Sequence, residues 1–153
     1  MFRLRVVGLL EAQQLIDEQW PTHVISLRTD PGTSTGPHHL YVQVADVHAV
    51  TPGVIYPLPE HLRQVFDFTQ HLTDDDRLLV HCLAGQSRST AIAIGVLIQH
   101  GMDCETAFAT VARLRPILQP NLLFTQHIDD YFGLNNKLVE LVLARRNVDP
   151  AMS

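Results

Sequence analysis

Cysteine is scarce in this chain: among 153 residues only Cys82 and Cys104 occur. Two thiols cannot supply the bridged framework of a small secreted domain or a four-cysteine zinc site. Positive charge is scarce as well. Eleven Lys and Arg stand against sixteen Asp and Glu, a net charge of −5, whereas a broad nucleic-acid surface normally carries the opposite sign. Long apolar runs are missing. The longest, Ala91 to Ile98, includes Gly95 and is far too short to span a bilayer. At the N-terminus Arg3 and Arg5 interrupt the apolar residues at once, with no small-residue cleavage site, which argues against a signal peptide. The nine histidines are scattered, with His38-His39 the one adjacent pair, and no spacing suggests a metal cage. The expectation is a soluble, cytoplasmic protein with no metal, no cofactor, no nucleic-acid partner and no membrane contact.

What is present is enough for a core. Apolar residues make up 46% of a chain of this length, which fits one domain over residues 1–153 and is too short for two ordinary ones. The patterns predict strands at Arg3 to Val7, His23 to Leu27, His39 to Val44 and Arg77 to His81. Helices are predicted at Leu9 to Gln19, Pro59 to Leu72, Arg88 to Gln99, from an Asp103 cap to Leu114, Asn121 to Tyr131, and Lys137 to Arg146. Thr29 to Pro37 and Asp46 to Pro59 are rich in turn formers and read as loops, the second long enough to suggest function. Strands early and helices late imply an α/β fold, with a mostly parallel central sheet flanked by helices.

The informative segment is His81-Cys82-Leu83-Ala84-Gly85-Gln86-Ser87-Arg88-Ser89-Thr90. A strand ends at Cys82, a helix begins near Arg88, and five residues lie between them. A loop of that size can turn its backbone N–H groups inward to make an anion nest, and the helix adds its unpaired N–H groups and positive end. Gly85 permits a left-handed backbone. Arg88 offers a planar fork matched to two phosphate oxygens. The same field favours thiolate, since comparable settings lower a cysteine from about 8.5 to roughly 3.5–7.5. Cys82 then reads as a nucleophile facing a bound phosphoryl group.

These residues resemble the signature loop of the cysteine-dependent protein tyrosine phosphatases. Ala84-Gly85 and Ser87-Arg88-Ser89 are similar to the dual-specificity branch and to small bacterial enzymes of that superfamily. His23 to Leu27, Val44-Ala45-Asp46 and Arg115-Pro116 through Pro120-Asn121 extend the resemblance from His23 to about Gly133. It implies the following roles. Cys82 attacks phosphorus. Arg88 and the N–H groups of Leu83, Ala84, Gly85, Gln86, Ser87 and Arg88 hold the equatorial oxygens. Asp46 is the general acid and base, with His48 and Asp30 as competitors. Ser89 assists departure of the sulfur. His81 and Asn121 brace the loop from behind. The substrate implied is a phosphorylated protein or peptide, phosphotyrosine and also phosphoserine or phosphothreonine. Two alternatives stand beside it: a rhodanese-like sulfurtransferase, and a phosphate-binding pseudophosphatase with little turnover. Cys104 reads as an ordinary half-buried thiol at a helix start, and the last helix as a packing face or a partner surface.

Overall fold

Alternation along the strands decides which side chains face which layer. In a computed structural model that describes residues 1–147, β4 (Arg77–His81) buries Leu78 and Val80 against the main core and Leu79 on the opposite face. All three are fully buried, the mark of a central strand covered on both sides. β1 (Arg3–Val7) pairs with one edge of β4, β2 (His23–Arg28) with the other, and β3 (His39–Gln43) with β2. The order is β1-β4-β2-β3, and every pairing is parallel. The sheet is thus wholly parallel where the sequence pointed to mostly parallel.

Helix α1 (Leu9–Asp17) lies on one face, where Ala12 and Leu15 pack with Val7 and Leu79. The other face carries α2 (Pro59–Thr69), α3 (Arg88–Gln99), α4 (Cys104–Leu114), α5 (Leu122–Phe132) and α6 (Lys137–Asn147). The middle of this layer is α3, buried from Arg88 to Leu97. A helix apolar all round can exist only as the centre of a layer. Gly101, at φ 103°, follows its end as the cap expected there. Among the described residues no helix is long and apolar enough to cross a membrane.

Most element boundaries agree with the sequence pattern, and the differences have local causes. α1 stops at Asp17, because Gln19 takes a left-handed backbone with φ 58° and turns the chain toward Trp20. α2 stops at Thr69, whose hydroxyl bonds back to the Val65 carbonyl and across to Gln99. β2 runs one residue further, to Arg28, and β3 ends one earlier, although Val44 N–H still donates to Arg28 O at 2.8 Å. Asn121 is the cap of α5 rather than its first residue, its Oδ1 accepting from Phe124 N–H at 2.9 Å. α6 extends to Asn147 and buries Leu138 and Val142, so its apolar side is a packing face. Residues 148–153 of the expected single domain lie outside the described residues.

Candidate active site

The parallel sheet brings the C-terminal ends of all four strands to one edge, where such sheets place their ligands. There β4 delivers His81 and Cys82, and the chain loops through Leu83–Ser87 into α3. What shapes this loop is visible from behind it. Each of its five carbonyls is held by a donor outside the loop. Leu83 O accepts from Leu9 N–H at 3.0 Å, and Ala84 O from Arg115 Nη2 at 3.0 Å. Gly85 O accepts from Arg115 Nε at 3.0 Å, Gln86 O from Gln119 N–H at 2.8 Å, and Ser87 O from Asn121 N–H at 3.0 Å. Carbonyls pinned outward leave the peptide N–H groups facing the interior, which makes the anion nest.

Gly85 is required in this loop. Its φ is 67°, and a Cβ there would sit 2.4 Å from the Val7 carbonyl carbon and 2.5 Å from Gly8 N. The loop therefore rests directly on the end of β1.

The nest encloses a pocket of about 210 Å³, lined by Asp46, Cys82, Leu83, Ala84, Gln86, Ser87 and Arg88. Cys82 is buried, and its sulfur lies 3.1 Å from Ser89 Oγ. Burial alone would push the thiol up. The Ser89 hydroxyl, the backbone N–H groups of Ser89 and Gly85 and the Arg88 guanidinium outweigh it, and the thiol lies below its ordinary value.

Arg88 is 5% exposed. Its Nη1 donates to Val44 O at 2.8 Å and to Thr29 Oγ1 at 3.0 Å, which fixes the guanidinium plane. Its Nε is buried with no hydrogen-bond partner among the described residues. A buried, unsatisfied cationic donor is costly unless an anion reaches it.

Asp46 stands at the opposite wall, at the start of the long loop. Its Oδ1 accepts from Ser87 Oγ at 2.6 Å and from Asn121 Nδ2 at 2.9 Å. Asn121 Nδ2 also donates to Val47 O at 2.9 Å. One buried asparagine thus caps α5, holds the signature loop through its backbone and fixes the carboxylate through its side chain. Neither competitor lines this pocket. Asp30 pairs with Arg28 at 3.7 Å, on the Thr29–Pro37 loop. His48 Nδ1 accepts from Leu122 N–H at 3.0 Å, and burial lowers its pKa, so it serves as a neutral acceptor at the start of α5.

His81 lies behind the nucleophile with its Nε2 2.6 Å from Ser26 Oγ. Burial lowers its pKa to about 4, against the opposing influence of the Cys82 backbone, so it is neutral near physiological pH. Sequence reasoning missed Thr29, the Val44 carbonyl, Ser26 and Arg115 as parts of the site. Of these, Val44 and Arg115 carried a signal, since both stand in segments that resemble the family, although no role was attached to either.

Comparison with known proteins follows the same lines. Residues 14–133 match the family described as dual specificity phosphatase, catalytic domain. Mouse dual specificity protein phosphatase 15 is 30% identical over 128 residues, covering 82% of this chain and 52% of that protein. A crystal structure of DUSP15 superposes with a TM-score of 0.63 at 26% identity, covering 95% of this chain and 93% of that one. Human DUSP28 superposes with a TM-score of 0.67 at 23% identity, covering 89% and 98%. The chain spans about half the length of the first curated relatives it matches.

Proposed function

Because the chain belongs to the dual specificity phosphatase catalytic-domain family, we propose that it hydrolyses phosphate monoesters on proteins, phosphotyrosine and also phosphoserine or phosphothreonine, through a phosphocysteine on Cys82. The observation that carries this reading is the nest itself: five carbonyls pinned outward, with a lowered thiol and an unsatisfied arginine Nε beside it.

In the first step the Cys82 thiolate forms an S–P bond while the P–O bond to the substrate breaks. Asp46 gives its proton to the departing oxygen. Arg88 and the N–H groups of residues 83–88 hold the three equatorial oxygens, so the loop stabilises charge where it develops. In the second step water attacks phosphorus, Asp46 takes the water's proton, and the S–P bond breaks. Ser89 Oγ, 3.1 Å from the sulfur, donates to the departing thiolate. Asn121 and Ser87 hold Asp46 over the pocket.

We read residues 1–153 as one catalytic domain. The loop adds no basic side chain besides Arg88, which favours a phosphoprotein over a polyanionic lipid or RNA. A nucleophilic thiolate suits the reducing cytoplasm. The test is phosphopeptide turnover, tyrosine against serine and threonine, by wild type and Cys82→Ser. Phosphate release by the wild type and none by Cys82→Ser, with phosphopeptide binding kept, is the expected result. Full turnover by Cys82→Ser overturns the mechanism. Sulfur transfer from thiosulfate without phosphate release favours the sulfurtransferase, and binding without any turnover favours the pseudophosphatase.

A further inference from the structure

On the face of the sheet that α1 covers, β4, β2 and β3 present His81, Ser26 and His39 side by side. Beside them is a second cavity, of about 400 Å³, separate from the catalytic pocket and bounded by α1 and the Thr29–Pro37 loop. Ser26 Oγ sits between two imidazoles, 2.6 Å from His81 Nε2 and 2.9 Å from His39 Nε2. At the outer end, Thr35 N–H donates to His39 Nδ1 at 2.9 Å, and Thr35 Oγ1 lies 2.9 Å from the same atom.

A backbone N–H can only donate, and this fixes the direction of the whole chain. His39 Nδ1 is an acceptor and carries no proton. A neutral His39 then has its proton on Nε2, which donates to Ser26 Oγ. Ser26 has one proton of its own, and the remaining acceptor beside it is His81 Nε2. His81 must therefore carry its proton on Nδ1. That nitrogen is buried and makes no full hydrogen bond, and the Cys82 backbone acts on the ring in the direction that favours a proton there.

We propose that Thr35 N–H, His39, Ser26 and His81 form a one-way hydrogen-bond relay that fixes His81 as its Nδ1–H tautomer and so helps hold the Cys82 loop in the shape that favours thiolate. The opposite tautomer turns a lone pair toward the backbone of Cys82 and repels the carbonyl that the Nδ1 proton would attract. Ser26 and His39 are positioning residues: neither lines the catalytic pocket. Each donor in such a chain polarises the next. The relay therefore links an exposed surface loop to the nucleophile through three side chains.

The groups facing the relay leave it neutral. His81 is far below its ordinary value through burial, with Arg28 and His39 adding to the shift. His39 is lowered by burial alone. Arg28 on β2 is paired with Asp30, Tyr41 on β3 meets the His39 ring edge-on at 6.4 Å, and α1 contributes Leu9, Ala12, Gln13 and Ile16, none of them charged.

The relay rests on Cys82 being the nucleophile, and its test separates the two claims. Long-range ¹⁵N–¹H spectra of wild type read the tautomers directly. The expected result is His39 protonated on Nε2 and His81 on Nδ1, and His81 protonated on Nε2 overturns the relay. The second readout is alkylation of the Cys82 peptide by iodoacetate against pH, followed by mass, which needs no turnover. Ser26→Ala and His39→Ala are each expected to move its midpoint up by about 0.5–1 unit, the size of one neutral hydrogen bond. The double variant should move it no further, and Ser26→Thr should restore it. An unmoved midpoint in both folded single variants, or additive shifts, overturns the relay. A wild-type Cys82 that alkylates only like an ordinary thiol overturns the nucleophile reading instead.

Discussion

The two cysteines occupy matching places and behave in opposite ways. Cys82 is 2% exposed and Cys104 is 3% exposed, and each lies beside the N-terminus of a helix. Yet the Cys82 thiol is lowered and the Cys104 thiol is raised. Burial is the largest cause in both and acts upward in both, so burial cannot explain the difference. The first turns do. At α3 the Ser89 hydroxyl, the backbone N–H groups of Ser89 and Gly85 and, last, the Arg88 guanidinium pull the thiol down with no acidic residue in the first turn, while α4 begins under an Asp103 cap with Glu105 next to the thiol. Glu105, Asp129 and Asp103 all push Cys104 up, and Lys137, paired with Glu105 at 2.7 Å, only partly offsets them. A helix N-terminus is thus a common resource that nearby carboxylates neutralise and that hydrogen-bond donors, with a guanidinium, reinforce. Asp46 shares the catalytic pocket with Cys82, and its Oδ1 is tied to Ser87 and Asn121.

That contrast can be broken at several points. The largest effect is expected for Asp46→Ala, which should cut kcat on a phenolic substrate of high leaving-group pKa by roughly 100- to 10,000-fold. An unchanged rate on that substrate would move the acid elsewhere. Arg88→Lys comes next. It keeps the charge but loses the fork, so kcat/KM should fall by roughly 100- to 1,000-fold, and near-normal turnover would show that the planar fork is not needed. Ser89→Ala should raise the alkylation midpoint of Cys82 by about 0.5–1 unit. Since alkylation follows the thiolate, the rate at neutral pH falls, and an unchanged midpoint would remove the hydroxyl from the account. The smallest effect is at the other cysteine. With its carboxylate neighbour neutralised, Glu105→Gln should bring Cys104 alkylation to lower pH while phosphate release stays the same, and loss of turnover would connect Cys104 to the site.

Much of this was legible in the residue order, because it depends on local chemistry. β1, β4 and α3 lie within the boundaries their patterns predict, since alternation, an apolar helical run and Gly101 act over a few residues. Cys82, Arg88 and Ser89 were visible for the same reason. The parts that were not legible are joined across distance. Arg115 lies thirty residues beyond Gly85, whose carbonyl it holds. Val44 meets Arg88 only because β3 and α3 share an edge of the sheet. Ser26 and His39 look like unremarkable strand residues until the parallel register sets Ser26 opposite His81 and His39 on the neighbouring strand within reach of Ser26. Spacing along a chain carries no record of register between strands, so such partners appear only with the fold.

The rest of Gly85 on the end of β1 has a consequence for the order of assembly. β1 is made first, but its partner is β4, with Arg3 facing Arg77 and Val7 facing His81. Such a pairing, made across nearly half of the chain, is slow to form because loop entropy must be spent before any contact is gained. Until it forms, Gly85 has nothing to lean on and Leu83 O lacks the Leu9 donor. The loop therefore acquires its shape only when the most distant pairing of the sheet is complete. During refolding, the rapid alkylation of Cys82 should appear last, which makes the reactive thiol a clock for completion of the fold.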